Sequence, residues 1–194
     1  KPGSSSLALL RSGAQVGDDL YVSGTVGDAR LALEVFRGTL SLPQAAFDAA
    51  RARMEQPTPR VALGLALRGI ATSAADISDG LIGDLGHILK ASRVGASIAT
   101  AAALPLLAQR AALAALPPER ADDLALECVL AGGDDYELVF TAPPQHRAAI
   151  QAAAAQAQTP VTRIGQIEAE PGLRLLGAQG QLLTRRFAGF DHFA

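Results

Sequence analysis

Three side chains raise the first chemical question. In the stretch "AADISDGL", Asp76, Ser78 and Asp79 bring two carboxylates and a hydroxyl within four positions. Asp76 and Ser78 are two apart, so on extended backbone they share a face, and Asp79 falls at the first turn of the helix predicted by the residues that follow. A small set of oxygen donors suits a hard cation such as magnesium, which leaves its remaining positions to water and phosphate. The helix start near Gly80 adds free N–H groups and a partial positive charge, both favourable to a phosphate. Ser and Asp are equally the preferred helix N-caps, and a cap accounts for Ser78 and Asp79. It gives no reason for Asp76, since a carboxylate ending an apolar strand is costly to bury unless paired or on a metal.

Two other stretches carry chemistry-bearing residues. "GGDDYELVF" sets Asp134 and Asp135 behind a diglycine, which reads locally as a helix C-terminus and a solvated turn. The tail "RRFAGFDHFA" gathers Phe187, Phe190 and Phe193 near the C-terminus. Such rings anchor a terminus to the core or stack on a flat heterocycle. His87, His146 and His192 lie far apart, without the spacing of a zinc site. The single Cys128 has no partner for an internal disulfide or a zinc knuckle, which suits a reducing, cytoplasmic compartment, and it reads as a buried small hydrophobe. Neither the Gly-x-x-x-x-Gly-Lys-Ser/Thr loop, the Gly-x-Gly-x-x-Gly fingerprint nor the Gly-x-Ser-x-Gly elbow occurs. A nucleotide bound here is held without the common phosphate loops.

The elements that must position these residues alternate along the chain. A strand over residues 19–25, a turn marked by Gly24 and Gly27, and a helix capped near Asp28 come first. "PQAAFDAARARM" predicts a helix started by Pro43, and "VALGLALRGIATS" another after the Pro57–Pro59 break. "AADI" is a strand end or turn. In "GLIGDLGHILKAS", Leu81, Leu85, Ile88 and Leu89 recur at helical spacing, with Gly95 helping to stop the helix. "GASIAT" predicts a strand, and "PLLAQRAALAAL" and "PERADDLALECVLA" predict helices, the second ended by Gly132 and Gly133. "DYELVFTAP" alternates like a strand. A surface helix "QHRAAIQAAAAQAQ", a strand "VTRIGQIE" and a short hairpin through "LRLLGAQGQLL" complete the order. Helices interleaved with strands, hairpin-like at the end, predict an α+β or α/β domain with a mixed sheet.

Composition limits the partners. The 194 residues are 49% hydrophobic, enough for a substantial core, and the net charge is −2 with Lys and Arg scattered. No basic footprint for nucleic acid or an anionic membrane is present. The longest apolar tract, residues 97–116, is broken by Pro105, Gln109 and Arg110, so it fits neither a membrane span nor a signal peptide. The chain opens on Lys1, and "KPGSSS" reads as linker, so a longer protein is expected.

In order along nearly the whole chain, "LRSGAQVGDDLYVSGTVGDA", "PTPRVALGLALRGIATSAADISDGLIGDLGHILKAS", "GGDDYELVFTAP", "RIGQI" and "GFDHF" resemble the C-terminal part of the thiamine-monophosphate kinase family, within the aminoimidazole ribonucleotide synthetase-like superfamily. The resemblance implies an α+β fold with a mixed sheet flanked by helices. It implies that residues 1–16 are linker or the end of a preceding domain, that residues 17–194 are the C-terminal domain, and that an N-terminal ATP- and magnesium-binding domain stands outside this chain. It implies Mg2+ as cofactor and ATP and thiamine monophosphate as substrates, with Asp76 and Asp79 as magnesium ligands, Arg11 and Ser78 as ATP contacts, and Asp134 and Phe190 as substrate contacts. No general base is implied, and the full-length enzyme is expected to be a homodimer with no nucleic-acid or membrane partner. Asp134 stands where the family commonly has Glu in "GGEDYEL", one methylene longer; Phe190 stands where Tyr or Trp is usual, so a ring remains but its polar group is lost. The rival readings are another ATP-dependent synthetase of the superfamily and a non-catalytic interaction domain with its aspartates used as caps.

Overall fold

A computed structural model describes residues 8–184 and Phe187. Six strands form one sheet: β1 (Asp19–Ser23), β2 (Ser73–Ile77), β3 (Gly95–Ala99), β4 (Glu137–Ala142), β5 (Val161–Glu168) and β6 (Gly172–Leu176). Their order across the sheet is β2-β4-β1-β5-β3-β6. Only the β3–β6 pair is parallel, so the sheet is mixed, as the alternation of elements predicts. Among the described residues seven helices flank it: α1 (Asp28–Phe36), α2 (Gln44–Glu55), α3 (Val61–Ala66), α4 (Leu81–Ser92), α5 (Thr100–Ala103), α6 (Pro118–Ala131) and α7 (Arg147–Gln156).

The period-2 alternation of the strands builds two cores. Leu20, Val22, Ala75, Ile77 and Val139 join a large core with Leu81, Leu85 and Ile88 of α4 and Val129 of α6. Tyr21, Phe140 and Ala142 face the other way, into a smaller core with Leu63 of α3 and Ile150 of α7. Tyr21 stacks on Phe140 with ring centroids 5.2 Å apart, pairing β1 and β4 through that second face. Ala74 packs at the edge of the smaller core, so Asp76, two residues on, points to the α3 side rather than into the α4 core.

Several local expectations are corrected. The third helix ends at Ala66, because Gly69 takes a left-handed φ of 74° and the chain must extend to let the Thr72 N–H reach the Thr141 carbonyl at 2.8 Å. Residues 105–116 form no continuous helix: Pro105 lacks an N–H, and the chain makes single 3₁₀ turns at Leu104–Leu106 and Arg110–Leu113. Asp28 does not cap its own helix; its carboxylate accepts the Ala108 and Gln109 N–H groups at 3.2 and 2.9 Å, holding that irregular segment against α1. Helix α4 stops at Arg93, left-handed at φ 59°, and Gly95 already belongs to β3. Helix α7 is not wholly a surface helix, since Ile150, Ala153 and Ala154 are buried. Among the described residues the terminal hairpin is reduced to a turn with an isolated bridge, Leu176 to Leu182, on the outer edge of β6.

Candidate functional site

Antiparallel pairing puts the C-terminal end of β2, the N-terminal end of β4 and the C-terminal end of β1 at the same edge of the sheet. Ile77 stands opposite Glu137 and Asp76 opposite Leu138. Residues 78–80 leave β2 there and residues 132–136 enter β4 there, so two loops far apart in sequence meet. They are stitched by backbone hydrogen bonds: the Asp134 N–H donates to the Ser78 carbonyl and the Tyr136 N–H to the Ile77 carbonyl, both at 2.9 Å. The approach is close because Gly133 has no side chain; a Cβ there would lie 2.7 Å from the Ser78 carbonyl oxygen. Gly80, at φ 112°, turns the chain into α4 in a conformation other residues rarely adopt.

Asp84, in the first turn of α4, reaches back and accepts the N–H groups of Ser78 and Asp79, each at 3.0 Å. Gly80 occupies the N-cap position of α4, so neither Ser78 nor Asp79 is its N-cap residue. Burial raises the Asp84 carboxyl above its ordinary range, opposed by those two backbone donors, and the nearby charges of Asp79 and Asp76 raise it further. Tyr136 is likewise pushed up, first by the charge of Asp134, then by burial, and also by Asp76 and Asp79. Asp76, Asp79 and Asp134 therefore lie within one electrostatic field.

The exposed Asp76 opens onto a groove of about 840 Å³ that Arg11 and Arg68 also line, with Leu10, Val61 and Leu65 as its apolar walls. The segment bearing Arg11 is held beside β2 by the Ala74 N–H donating to the Leu10 carbonyl at 2.9 Å, and by Ser92 Oγ accepting the Gly13 and Ala14 N–H groups. The structure thus brings Arg11 and Asp76 to one groove and Ser78, Asp79 and Asp134 to the adjoining loops. Phe190 lies outside the described residues.

Among the described residues, no three His, Cys, Asp or Glu side chains are grouped closely enough to hold a metal by themselves. The donors present still fit magnesium, because all are oxygens, Asp76 is exposed, and a pair of carboxylates completed by phosphate and water is the usual way that ion is held.

The sequence reading passed over the buried frame beneath the site. Glu137, fully buried, accepts Ser23 Oγ–H at 2.6 Å and is clamped by Arg60 Nε and Nη2 at 2.7 and 2.6 Å and Arg53 Nη2 at 2.8 Å. A signal for Glu137 was present, since it shares the period-2 face of Val139; its arginine partners, distant in sequence, had none. Asp84 carried a similar signal, falling on the apolar stripe of Leu81, Leu85 and Ile88.

No helix among the described residues is long and apolar enough to cross a membrane. Comparison with known proteins places this geometry. The family described as "AIR synthase related protein, C-terminal domain" matches residues 15–177. The thiamine-monophosphate kinase of Escherichia coli K12 is 44% identical over 190 residues, covering 96% of this chain and 56% of that protein. The chain therefore spans about half the length of the curated relatives it matches. The crystal structure of thiamine-monophosphate kinase from Stenotrophomonas maltophilia K279a superposes with a TM-score of 0.76 at 41% identity, over 91% of this chain and 54% of that one. A second structure, AaThiL complexed with AMPPCP and TMP, matches with a TM-score of 0.70 at 27% identity, over 95% and 54% of the two chains.

Proposed function

Since the chain belongs to the AIR synthase related family as its C-terminal domain, we propose that it is the C-terminal part of a cytoplasmic, homodimeric thiamine-monophosphate kinase, transferring a phosphoryl group from ATP to thiamine monophosphate to give ADP and thiamine diphosphate. The observation that carries this reading is the meeting of Asp76, Asp79 and Asp134 at one sheet edge beside Arg11, in a chain 44% identical to such an enzyme. The relative complexed with AMPPCP and TMP supports the same pair of substrates.

The acceptor is already a phosphate, mostly dianionic at neutral pH because its second pKa is about 6. No base has to remove a proton, and the obstacle is repulsion between two anions. Magnesium, when bound, supplies the positive charge that offsets this repulsion and the charge developing on the transferred group. In this proposal Asp76 and Asp79 hold the ion, and the Ser78 hydroxyl and the Arg11 guanidinium contact the ATP phosphates. Asp134 binds the thiamine part of the acceptor, and the Phe190 ring stacks on it. Asp84 keeps the Ser78–Asp79 backbone in place without touching substrate.

The test is a coupled ADP-release assay on protein of the relatives' full length, with thiamine monophosphate among a panel of acceptors, run beside this 194-residue chain alone. Turnover of thiamine monophosphate by the longer protein, and none by this chain, is expected. Turnover of a different acceptor alone would reassign the protein to a related ATP-dependent synthetase. Failure to bind Mg-ATP would leave a non-catalytic interaction domain.

A further inference from the structure

Between the half-buried Asp134 and the exposed Tyr136 lies Asp135, only 1% exposed and unused by the chemistry above. Its Oδ2 accepts the Gly27 N–H at 2.8 Å, and the Ala29 N–H in the first turn of α1 also acts on the carboxylate. Gly27 is the N-cap of α1, itself left-handed at φ 94° and without a side-chain cap, so Asp135 supplies that helix's acceptor from 108 residues away. A Cβ on Gly27 would lie 2.8 Å from the Cys128 carbonyl carbon, which leaves no room for a capping residue there.

Both neighbours of Asp135 are left-handed, Asp134 at φ 65° and Tyr136 at φ 52°. Non-glycine residues rarely adopt that conformation, and two of them around one residue persist only where the surroundings over-determine the backbone. The Asp134 and Tyr136 N–H groups are tied to Ser78 and Ile77 on one side. On the other side the Asp135 carboxylate is tied to Gly27.

We infer that Asp135 is a positioning residue: anchored to the Gly27 N–H, it fixes the left-handed turn that presents the Asp134 carboxylate beside Asp76 and Asp79 for the acceptor. The inference rests on the kinase reading for Asp134. It acts through Asp134 alone, so its effect must depend on that residue.

The experiment is a steady-state comparison of full-length protein carrying Asp134→Ala, Asp135→Ala, Asp135→Asn and the Asp134→Ala/Asp135→Ala pair, with thiamine monophosphate and ATP varied separately. Asp135→Ala is expected to raise the KM for thiamine monophosphate roughly tenfold with little change in kcat or in the KM for ATP, in line with coupling between neighbouring residues. Asp135→Asn keeps an oxygen able to accept the Gly27 N–H and is expected to restore the KM to within about threefold. In the Asp134→Ala background, Asp135→Ala is expected to add nothing. If circular dichroism shows the alanine variant unfolded, Asp135→Ser is read in its place. Additive effects, no rescue by asparagine, or an unchanged KM in the alanine or serine variant would overturn the inference. An Asp134→Ala variant with wild-type KM for thiamine monophosphate would instead overturn the substrate assignment beneath it.

Discussion

Glu137 shows what a single residue does for this site. One buried carboxylate, at the first residue of β4, pairs with two partly exposed guanidiniums and accepts a serine hydroxyl. Removing one partner of a buried ion pair strands the other, which typically costs about 3–5 kcal/mol. Glu137→Ala is expected to lose stability in that range, read from the urea midpoint, whereas an exposed pair such as Arg51–Glu55 contributes little. Asp19 makes a titratable contrast on the opposite face. The Arg147 hydrogen bond, opposed by burial and helped by Arg163, holds its carboxyl below the ordinary 3.8. A depressed folded value means the contribution is present above the unfolded value and is lost as pH falls from there through the folded one. Urea unfolding across pH should therefore show wild-type protein more stable than Asp19→Asn by a constant margin at neutral pH, with that margin shrinking below about pH 4. The stretches "AADISDGL" and "GGDDYEL" named from sequence do meet, and the apolar-face positions of Asp84 and Glu137 were legible, whereas the arginine partners of Glu137 are set by folding rather than by spacing.

At the scale of elements, the site depends on how closely two loops approach. The strand order brings the ends of β2 and β4 together, and Gly133 lets their flanking loops share hydrogen bonds. Gly133→Ala drives a methyl against the Ser78 carbonyl oxygen. Overpacking of this kind costs about 1–3 kcal/mol. A shift of the loops by an ångström lowers catalysis on the order of 100-fold. Calorimetric melting and ADP release in full-length protein check the two effects separately. Strands and long amphipathic helices were legible because burial imposes a period on them, as in α4 and β4. Residues 105–116 and 67–72 are apolar enough to be helical, yet tertiary demands from Asp28 and from the edge of β4 hold them in turns. Likewise Arg93, rather than the glycine two residues on, takes the left-handed place at the end of α4.

For the whole molecule, a mixed sheet with interleaved helices followed from the order of elements and the choice of α+β from the family resemblance, whereas the strand order and the pairing of the two loops did not follow, because nothing local encodes which strands become neighbours. The chain covers 56% of a curated relative, and its described carboxylates do not complete a metal site unaided. In the proposed kinase, Asp76 and Asp79 would be this domain's oxygen contribution to a bound magnesium. The most direct test is electron paramagnetic resonance of manganese(II), as a substitute for magnesium, titrated into full-length protein with ATP. Asp76→Asn and Asp79→Asn are each expected to weaken manganese binding at least about tenfold while melting within a few degrees of wild type, as loss of an ion's ligand rather than of packing requires. Unchanged manganese binding in both variants would contradict it.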